Sequence, residues 1–394
     1  MIDLKEIFNQ HPNCLNNKAS FKSILMDEYP SEKRMINILA ILFECGIVNK
    51  IKSKSTISST EMHGLLTQVE NDYGISAQYS QSAILIWAAA FGITASTVKV
   101  QDTATLSSET KGSVDNVPPE YVEGNVADYA LKMKSDGCYI KRFNGFEEDE
   151  ITIPSLIDGK QIKGIAQEAF KGCVQVKKIH ISEGIEIIEN GAFKECTALR
   201  EVSLPDSLKR LGNNPTQYGM GVFSKTRLSS IIIPQNVEFI GPSCFEFCTS
   251  LRKITIPRNV KFLGAYCFNY CTNLEEVTLS DEIEVIHEKT FSYCSSLSEI
   301  KLPNKLSKIE EAAFICCSQL QEIHIPFGTR SIGKDAFERT YLSAIYIPPT
   351  ITEISSSGNT LGNNPQKLTI YCAAGSTAME YARKRNIKCA KAQF

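Results

Sequence analysis

Two consecutive stretches in the middle of the chain decide its architecture. Residues 231–253 read IIIPQNVEFIGPSCFEFCTSLRK, and residues 254–276 read ITIPRNVKFLGAYCFNYCTNLEE. Both carry apolar residues, a proline, a valine, a phenylalanine, a cysteine and a leucine in the same order. Related copies begin at Ile151, Ile179, Val202, Val277, Ile300, Ile323 and Ile345. A repeat of this length is typical of a solenoid, in which each coil buries its apolar residues against its neighbours.

The phenylalanines of these copies recur in register. They are Phe170, Phe193, Phe223, Phe245, Phe268, Phe291, Phe314 and Phe337. Most steps are 22 or 23 residues, and one step is 30 because of an insertion around 212–221. Alternating residues such as Ile254, Thr255 and Ile256 predict a short strand with one buried face. The next residue is usually proline, which ends a strand because it has no N–H to donate. We expect the Phe to lie on a short helical turn and to fill the interior of the coil.

The recurring strand, proline, small residue–Phe and Cys elements resemble the BspA-type leucine-rich repeats of bacterial proteins over roughly residues 124–390. The resemblance implies a right-handed leucine-rich-repeat solenoid, opened by a hairpin and closed by a strand and a helix. BspA-like proteins are associated with attachment to host proteins and cell surfaces. The resemblance therefore implies an adhesin as one function.

The whole chain is predicted to be α+β, with a small helical bundle in front of the solenoid. Residues 1–95 form the helical domain, 96–122 a flexible polar linker, and 123–394 the repeat domain. Within the repeat domain, the hairpin is expected at about 128–150, the repeats at about 151–357 and the closing elements at about 366–390. Helices are predicted at Asp3–Asn9, Lys18–Asp27, Ser31–Cys45, Ser59–Asp72 and Ala77–Phe91.

Cap residues and one aromatic residue refine the helical prediction. The expected N-caps are Ser31 and either Ser58 or Ser59. The expected C-caps are Gly46, Gly74 and Gly92. Trp87, the only tryptophan, lies in the most apolar helix and is expected to anchor its core.

Composition narrows the class of protein. The net charge is −2, so the basic footprint of a nucleic-acid-binding domain is missing. The longest apolar stretches, 36–43 and 83–93, are too short to span a bilayer. Residues 1–6 lack the basic and apolar pattern of a signal peptide. We therefore expect a cytoplasmic protein with fourteen thiols, the alternative being a cell-surface protein exported by a non-standard route.

One column of cysteines has spacing that suggests chemistry. Cysteines lie three residues after the repeat Phe at Cys173, Cys196, Cys248, Cys271, Cys294 and Cys317. They predict either a metal or redox strip or a ladder of buried thiols, and we favour the ladder. The sequence has no C-x-x-C knuckle, no histidines at zinc spacing, and no nucleophile elbow or phosphate loop. We expect no catalytic residue, no metal and no cofactor; an enzyme with its site in the helical domain is the least favoured hypothesis.

The five residues LGNNP occur twice, at 211–215 and 361–365. Gly-Asn-Asn is typical of turns. Two interpretations stay open, a repeated loop insertion and a pair of recognition loops.

The outward side of the predicted strands is the expected binding surface, because solenoids bind partners on extended faces. One column reads His180, Ser203, Ile232, Thr255, Thr278, Lys301, His324 and Tyr346. A second column includes three successive acids, Glu276, Glu299 and Glu322, which predict either a solvated face or a site for a basic protein segment. The apolar anchors are expected at Ile232 and Tyr346.

These observations favour a non-catalytic protein–protein interaction module with an unidentified protein partner, no nucleic acid and no membrane span. The adhesin that binds host or matrix proteins is the alternative. The partner-binding residues are predicted to be His180, Ile232, Thr255, Glu276, Thr278, Glu299, Lys301, Glu322, His324 and Tyr346.

Overall fold

The computed structural model describes residues 2–16, 18–29, 32–44, 46–73, 77–98, 123–124, 128–145 and 149–392. The predicted linker, 96–122, lies almost entirely outside these residues. The predicted caps Ser31 and Gly74 also lie outside them.

The front of the chain is helical, as the sequence predicts. Its helices are α1 Leu4–Gln10, α2 Lys18–Glu28, α3 Lys33–Glu44, α4 Ile47–Lys52, α5 Ser59–Tyr73 and α6 Ala77–Ala90. A 3₁₀ turn covers Cys14–Asn16, and a small parallel pair joins β1, Thr56–Ile57, to β2, Thr94–Ala95. The sequence did not predict α4 or this strand pair. Gly46 and Gly92 have positive φ and follow α3 and α6, where C-caps were expected.

Trp87 lies at the centre of the helical core. Its side chain is fully buried, and the rings of Phe21 and Phe43 lie 5.3 and 6.1 Å away. The indole Nε1 donates a hydrogen bond to the carbonyl of Leu39, at 3.3 Å. The polar edge of the ring therefore has a partner inside the core, as a buried Trp requires. The prediction that Trp87 is a core anchor is confirmed.

The remainder of the chain is a parallel β-solenoid, opened by an antiparallel hairpin and closed by a helix and a strand. The opening strands are β3 Glu123–Gly124, β4 Tyr129–Lys134 and β5 Gly137–Phe143. The strands of the coils are β6 Glu150–Ile153, β7 Leu156–Ile157, β8 Lys160–Ile165, β9 Lys178–Ile181, β10 Ile187–Ile188, β11 Glu201–Ser203, β12 Arg210–Leu211, β13 Phe239–Ile240, β14 Lys253–Thr255, β15 Phe262–Leu263, β16 Glu276–Thr278, β17 Val285–Ile286, β18 Lys308–Ile309, β19 Glu322–His324, β20 Ser331–Ile332, β21 Ala344–Ile347 and β22 Glu353–Ile354. The closing elements are β23 Thr369–Cys372, α7 Thr377–Arg385 and β24 Lys388–Lys391.

Most coils contribute to two parallel ladders. The first contains β6, β9 and β11, then β14 and β16, then β19, β21, β23 and β24. The second runs from β5 and β8 through β10, β12, β13 and β15, and continues with β17, β18, β20 and β22. The register of these ladders shifts once, between β5 and β8 at Cys138 and Tyr139, and is regular from β8 onward; for example, Thr255 lies opposite Thr278. Equivalent residues of successive coils therefore form straight columns.

The repeat Phe forms the third side of the coil and the centre of its core. All eight rings are at most 1 % exposed, and neighbouring ring centroids lie 5.1 to 5.7 Å apart. The backbone here is also hydrogen-bonded between coils, as where Phe268 N donates to the carbonyl of Thr290, at 2.8 Å. The predicted role of these residues, filling the coil interior, is confirmed.

The turn around each Phe requires left-handed residues. In most coils the residues two before and two after the Phe have φ near +60°, as at Tyr266 and Tyr270 around Phe268. The left-handed conformation costs a non-glycine residue about 1–2 kcal/mol. Burial of a Phe side chain contributes about 1.5–3 kcal/mol, and the bonds between coils add to it. The stacked coils therefore hold this backbone even where no glycine is present.

The first ladder is interrupted at two predicted strands. Within the repeat domain as described, Ile231–Ile233 and Ile300–Leu302 have no ladder partner on either side. They nevertheless keep the strand alternation, since Ile231 and Ile233 are buried while Ile232 points outward. The repeat pattern predicts a short strand with one buried face at both places; the buried face is present, but the backbone forms no ladder there.

The last coil is covered by the closing elements. Ser376 Oγ accepts from Met379 N at the start of α7, and Asn386 ends the helix in the left-handed conformation. Tyr381 and Ala382 of α7 are buried against the array. β24 pairs with β23 and presents Lys388 and Lys391 to solvent at the final edge. Charged residues at an open edge oppose pairing with another chain.

Candidate interaction surface

The outward side of the first ladder is called the strand face here. The residues of its first column are His180, Ser203, Ile232, Thr255, Thr278, Lys301, His324, Tyr346 and Tyr371. Those of its second column are Lys178, Glu201, Ser230, Lys253, Glu276, Glu299, Glu322, Ala344 and Thr369. Parallel strands alternate inward and outward residues, so the two columns share one side of the sheet.

The pairing brings some of the predicted site residues together and leaves others apart. Thr255 lies opposite Thr278, and His324 lies opposite Tyr346. His180 lies between Thr152 and Ser203, far along the array from His324. Ile232 and Lys301 stand on the two unpaired segments. The predicted residues thus belong to one face but not to one compact cluster.

The acidic stripe, formed by Glu276, Glu299 and Glu322, is only partly free to bind a partner. Lys253 Nζ donates to Glu276 Oε2 at 2.7 Å, and the nearby carboxylate raises the pKa of this lysine. His324 Nε2 lies 2.9 Å from Glu322 Oε1. Glu299 is exposed, and it forms no ion pair with any residue that the structure describes. All three carboxylates face solvent, where a partner could compete for them.

An aromatic ladder ends the strand face at its C-terminal side. The His324 and Tyr346 rings stack with centroids 4.0 Å apart, and Tyr346 and Tyr371 follow at 4.5 Å. Burial, followed by the charge of Glu322, raises the pKa of Tyr346. Tyr346 is therefore half-buried between two rings and is not the exposed apolar anchor that the sequence predicted.

Sequence reasoning missed Tyr371 as part of this face. The signal was available, because the closing elements expected at about 366–390 begin with a strand. Aligning that strand with β21 places Tyr371 opposite Tyr346. The missing step was to extend the column through the closing strand.

Ile232 is the exposed apolar residue of the strand face. Its side chain is 86 % exposed. A shallow groove of about 280 Å³ lies beside it, lined by residues that include Gln235, Lys253 and Thr255. A single exposed apolar side chain costs a folded protein little free energy, but such side chains are also the usual anchors of protein interfaces.

The second unpaired segment borders a larger groove. Its volume is about 820 Å³, and its lining includes Glu299, Lys301, Glu322 and His324. The groove therefore carries two carboxylates, one ammonium group and one ring. This composition suits a polar or basic segment of a partner rather than an apolar one.

The cysteine column is a ladder of buried thiols. Five of the thiols each donate to the Phe carbonyl of the preceding coil at 3.1 or 3.2 Å; they are Cys196, Cys248, Cys271, Cys294 and Cys317. Burial raises the pKa of the Cys248 thiol to about 12 and that of Cys271 well above its ordinary value. Among the described residues, no three His, Cys, Asp or Glu side chains are grouped as metal ligands. This geometry fits small apolar side chains with weak donors.

A second aromatic row, which the sequence analysis did not identify, lies beside the Phe column. Phe247, Tyr270 and Tyr293 stack with centroids 4.8 and 4.3 Å apart, each two residues after a repeat Phe. Their rings face each other and present edges to solvent. The row therefore supports coil stacking and offers few free ring faces.

The two LGNNP segments occupy different places in the coil. Leu211 ends β12, and Asn190 Oδ1 of the preceding coil accepts from Asn213 N at 2.8 Å. Leu361 instead occupies the core position of a repeat Phe, since Thr360 accepts from Phe337 N. The two segments are not equivalent, so the geometry favours separate loop insertions over a recognition pair.

Copies of the family model for the BspA type leucine rich repeat region match residues 142–215, 163–261 and 216–342, more than half of the chain. The chain belongs to the BspA-type leucine-rich-repeat family. No functionally curated protein matches it.

Solved structures resemble this BspA-type chain. A leucine-rich repeat protein from Bacteroides ovatus is 26 % identical with a TM-score of 0.54, over 71 % of this chain and 68 % of that one. The leucine-rich repeat protein of T. pallidum is 29 % identical with a TM-score of 0.45, over 49 % of this chain and 88 % of that one.

Membership of the BspA-type family indicates a protein-interaction or adhesin-like role, and solenoids of this family are typically not enzymes. No helix within the described ranges has both the length and the apolar character needed to cross a membrane.

Proposed function

We propose that this BspA-type chain is a non-catalytic protein-interaction module whose binding surface is the strand face. The residues we assign to the partner are His180, Ile232, Thr255, Glu276, Thr278, Glu299, Lys301, Glu322, His324 and Tyr346, to which Tyr371 is added. We further propose that the helical part, 1–95, acts as a second docking unit and that 96–122 links it to the repeat domain, 123–394.

One observation carries the proposal. Ile232 is more exposed than any other large apolar side chain among the described residues, and it stands on the strand face. Charged and aromatic residues line the same face within a few coils. An apolar anchor surrounded by polar groups is the usual anatomy of a protein interface.

The test begins with the native partner. The untagged protein is cross-linked in cells, and captured proteins are compared between wild type and the triple variant Glu276→Lys, Glu299→Lys, Glu322→Lys. We expect the triple variant to lose the specific partner. A double variant of exposed acids on the second ladder, Glu238→Lys and Glu353→Lys, is the control and should keep it. Equal capture by the triple variant would remove the acidic stripe from the interface.

The adhesin is the second candidate, because the family also contains proteins with that role. It differs from the module in its compartment and in its partner. We propose the cytoplasm, where the buried free thiols of the described region remain reduced. Cell fractionation decides between them: native protein on the cell surface, together with capture of host or matrix proteins, would replace the intracellular module by the adhesin.

A further inference from the structure

We propose that the strand face holds one amphipathic α-helix of its partner, with an apolar residue near one end and two basic residues near the other. The helix lies obliquely across five coils, from Ile232 to the groove between Glu299 and Glu322. This inference rests on the proposed function, because it assigns the form and the chemistry of the segment that the face would bind.

The positions of Ile232 and of the two carboxylates set the direction of the partner helix on the strand face. Ile232 belongs to the first column, whereas Glu299 and Glu322 belong to the second, two residues earlier along their segments. Two residues along a strand span about 6.6 Å, and three to four coils span about 14–19 Å at the spacing of neighbouring strands. The line from Ile232 to the two acids is therefore inclined by about 20–25° to the direction in which the coils stack.

A helix with this inclination matches the repeat of the coils. The pitch of an α-helix is 5.4 Å, and at an inclination of about 25° each turn advances about 4.9 Å along the stack. Paired strands lie about 4.7–4.9 Å apart. Each of the four steps between Ile232 and His324 is paired in one of the two ladders, which keeps the coils at this spacing even where the strand face itself is unpaired. One helical residue per turn therefore meets each coil in succession.

An extended segment does not match as well. Residues on one side of a strand recur about every 6.6 Å, so they fall out of register with the coils within two steps. The spacing of the face thus selects a helix over a strand, whatever side chains the partner carries.

The chemistry of the face sets the helix side chains. Ile232 offers apolar contact to a residue such as Leu, and the next two coils present small Thr255 and Thr278 side chains. These threonines leave room for a helix backbone to approach. At the far end, the larger groove carries two carboxylates against the single ammonium of Lys301, so it attracts basic residues.

The imidazole of His324 favours arginine among basic residues. One face of the ring is covered by Tyr346 at 4.0 Å, and the ring also lines the groove. A planar guanidinium can stack on the open ring face while it donates to the carboxylate of Glu322. An ammonium group can make only the second of these contacts.

The contact positions follow from 3.6 residues per turn. With the apolar residue at position 1, small residues belong at about 5 and 8, and basic residues at about 12 and 15. Position 12 meets Glu299, and position 15 meets Glu322.

The experiment uses the full chain and fluorescently labelled, alanine-based helical peptides with Leu at position 1. In the matched peptide, Arg occupies positions 12 and 15; in the control it occupies 10 and 13, which places it on the opposite side of the same helix. Fluorescence anisotropy measures Kd. We expect the control peptide to bind at least about tenfold more weakly, a difference of about 1.4 kcal/mol.

Protein variants test the two ends independently. Glu299→Lys with Glu322→Lys should weaken the matched peptide at least tenfold, and a peptide with Glu at 12 and 15 should recover binding to this variant. Ile232→Thr, which installs the side chain of the next residue in its column, Thr255, should weaken the Leu peptide but not one with Ala at position 1. Glu238→Lys with Glu353→Lys should change nothing, and circular dichroism should show that every variant is folded.

The outcomes separate this inference from the proposed function. Equal binding of the matched and control peptides would overturn the helix. If neither peptide binds while the triple variant still loses the native partner, the helix is wrong and the strand face remains the interface. If the triple variant also keeps its native partner, both proposals fall.

Discussion

The repeat Phe is the residue on which each coil depends. Its ring contacts the rings above and below, and its backbone bonds to the next coil. The sequence predicted this position because the Phe keeps its register while most surrounding residues vary. It did not predict the left-handed residues on either side, since Tyr266 and Tyr270 are not residues that normally signal that conformation.

Replacing one central ring should be costly. Phe268→Ala removes a fully buried ring between Phe245 and Phe291 and is expected to destabilise the array by about 3–5 kcal/mol. Urea unfolding followed by far-ultraviolet circular dichroism measures this change. Phe327→Ala, at a side chain 68 % exposed, is the control and should stay within about 0.5 kcal/mol. Similar effects for both variants would contradict the assigned role of the Phe column.

The thiols of the cysteine column should be inert in the folded protein. Cys271 and Cys294 are buried, and desolvation raises the pKa of both well above the ordinary value, so little thiolate forms at neutral pH. Alkylation with iodoacetamide at pH 8, followed by peptide mass spectrometry, should label them only under unfolding conditions. Partly exposed Cys316 provides the internal control and should react first. Early labelling of Cys271 would show that the coils open locally.

At the scale of elements, the sequence predicts the coils that repeat along the chain and the helices that span several turns. The five long helices, the coils and the closing helix all carried such patterns. The six-residue α4, the two-residue β1 and β2 and the breaks at 231–233 and 300–302 did not. Short elements arise from tertiary packing, and the breaks arise from backbone pairing that alternation of side chains does not reveal.

The same limit applies to the binding surface. The columns could be listed from the sequence, because register follows from the repeat. The ion pair of Glu276 with Lys253 and the burial of Tyr346 could not, because they depend on side-chain directions across coils. The two grooves likewise appear only once the paired and unpaired segments are known.

The start of α5 supports a prediction about pH. Ser58 N donates to Glu61 Oε2 at 2.9 Å, Ser58 Oγ accepts from Glu61 N at 3.3 Å, and Lys54 Nζ lies 2.5 Å from the carboxylate. The hydrogen bond from Lys54, followed by those from Ser58, lowers the Glu61 pKa from 4.5 to about 2. This is a reciprocal capping box. Ionisation of its carboxylate adds the ion pair with Lys54 and strengthens the hydrogen bonds that it accepts from Ser58.

Because the folded-state pKa is lowered, the ionised carboxylate stabilises the fold above about pH 4.5, and that contribution is lost as pH falls toward 2. In Glu61→Gln the charge is absent at every pH. We therefore expect the variant to be less stable than wild type at pH 6 and to lose less stability between pH 4.5 and 2. Urea midpoints followed by Trp87 fluorescence measure both the stability at pH 6 and the loss of stability between pH 4.5 and 2. Parallel losses in the two proteins over this interval would contradict the assignment.

At the scale of the whole molecule, the described residues form two hydrophobic cores. One contains the helical residues around Trp87 and Phe21, and the other runs without a break from the hairpin at Tyr129 to α7 at Ala382. In a solenoid, stability is approximately the sum of coil terms and contacts between neighbouring coils. A defect in one coil should therefore affect the array and leave the helical core unchanged.

The single tryptophan makes this independence measurable. Trp87 fluorescence reports the helical core alone, whereas the strands of the array dominate the β signal in circular dichroism. We expect Phe268→Ala to lower the urea midpoint seen by circular dichroism and to leave the fluorescence midpoint within error. Phe21→Ala, which removes a ring 5.3 Å from Trp87, should do the reverse. If either variant moved both midpoints together, the two cores would unfold as one unit, and a partner bound at the strand face would stabilise the helical part as well.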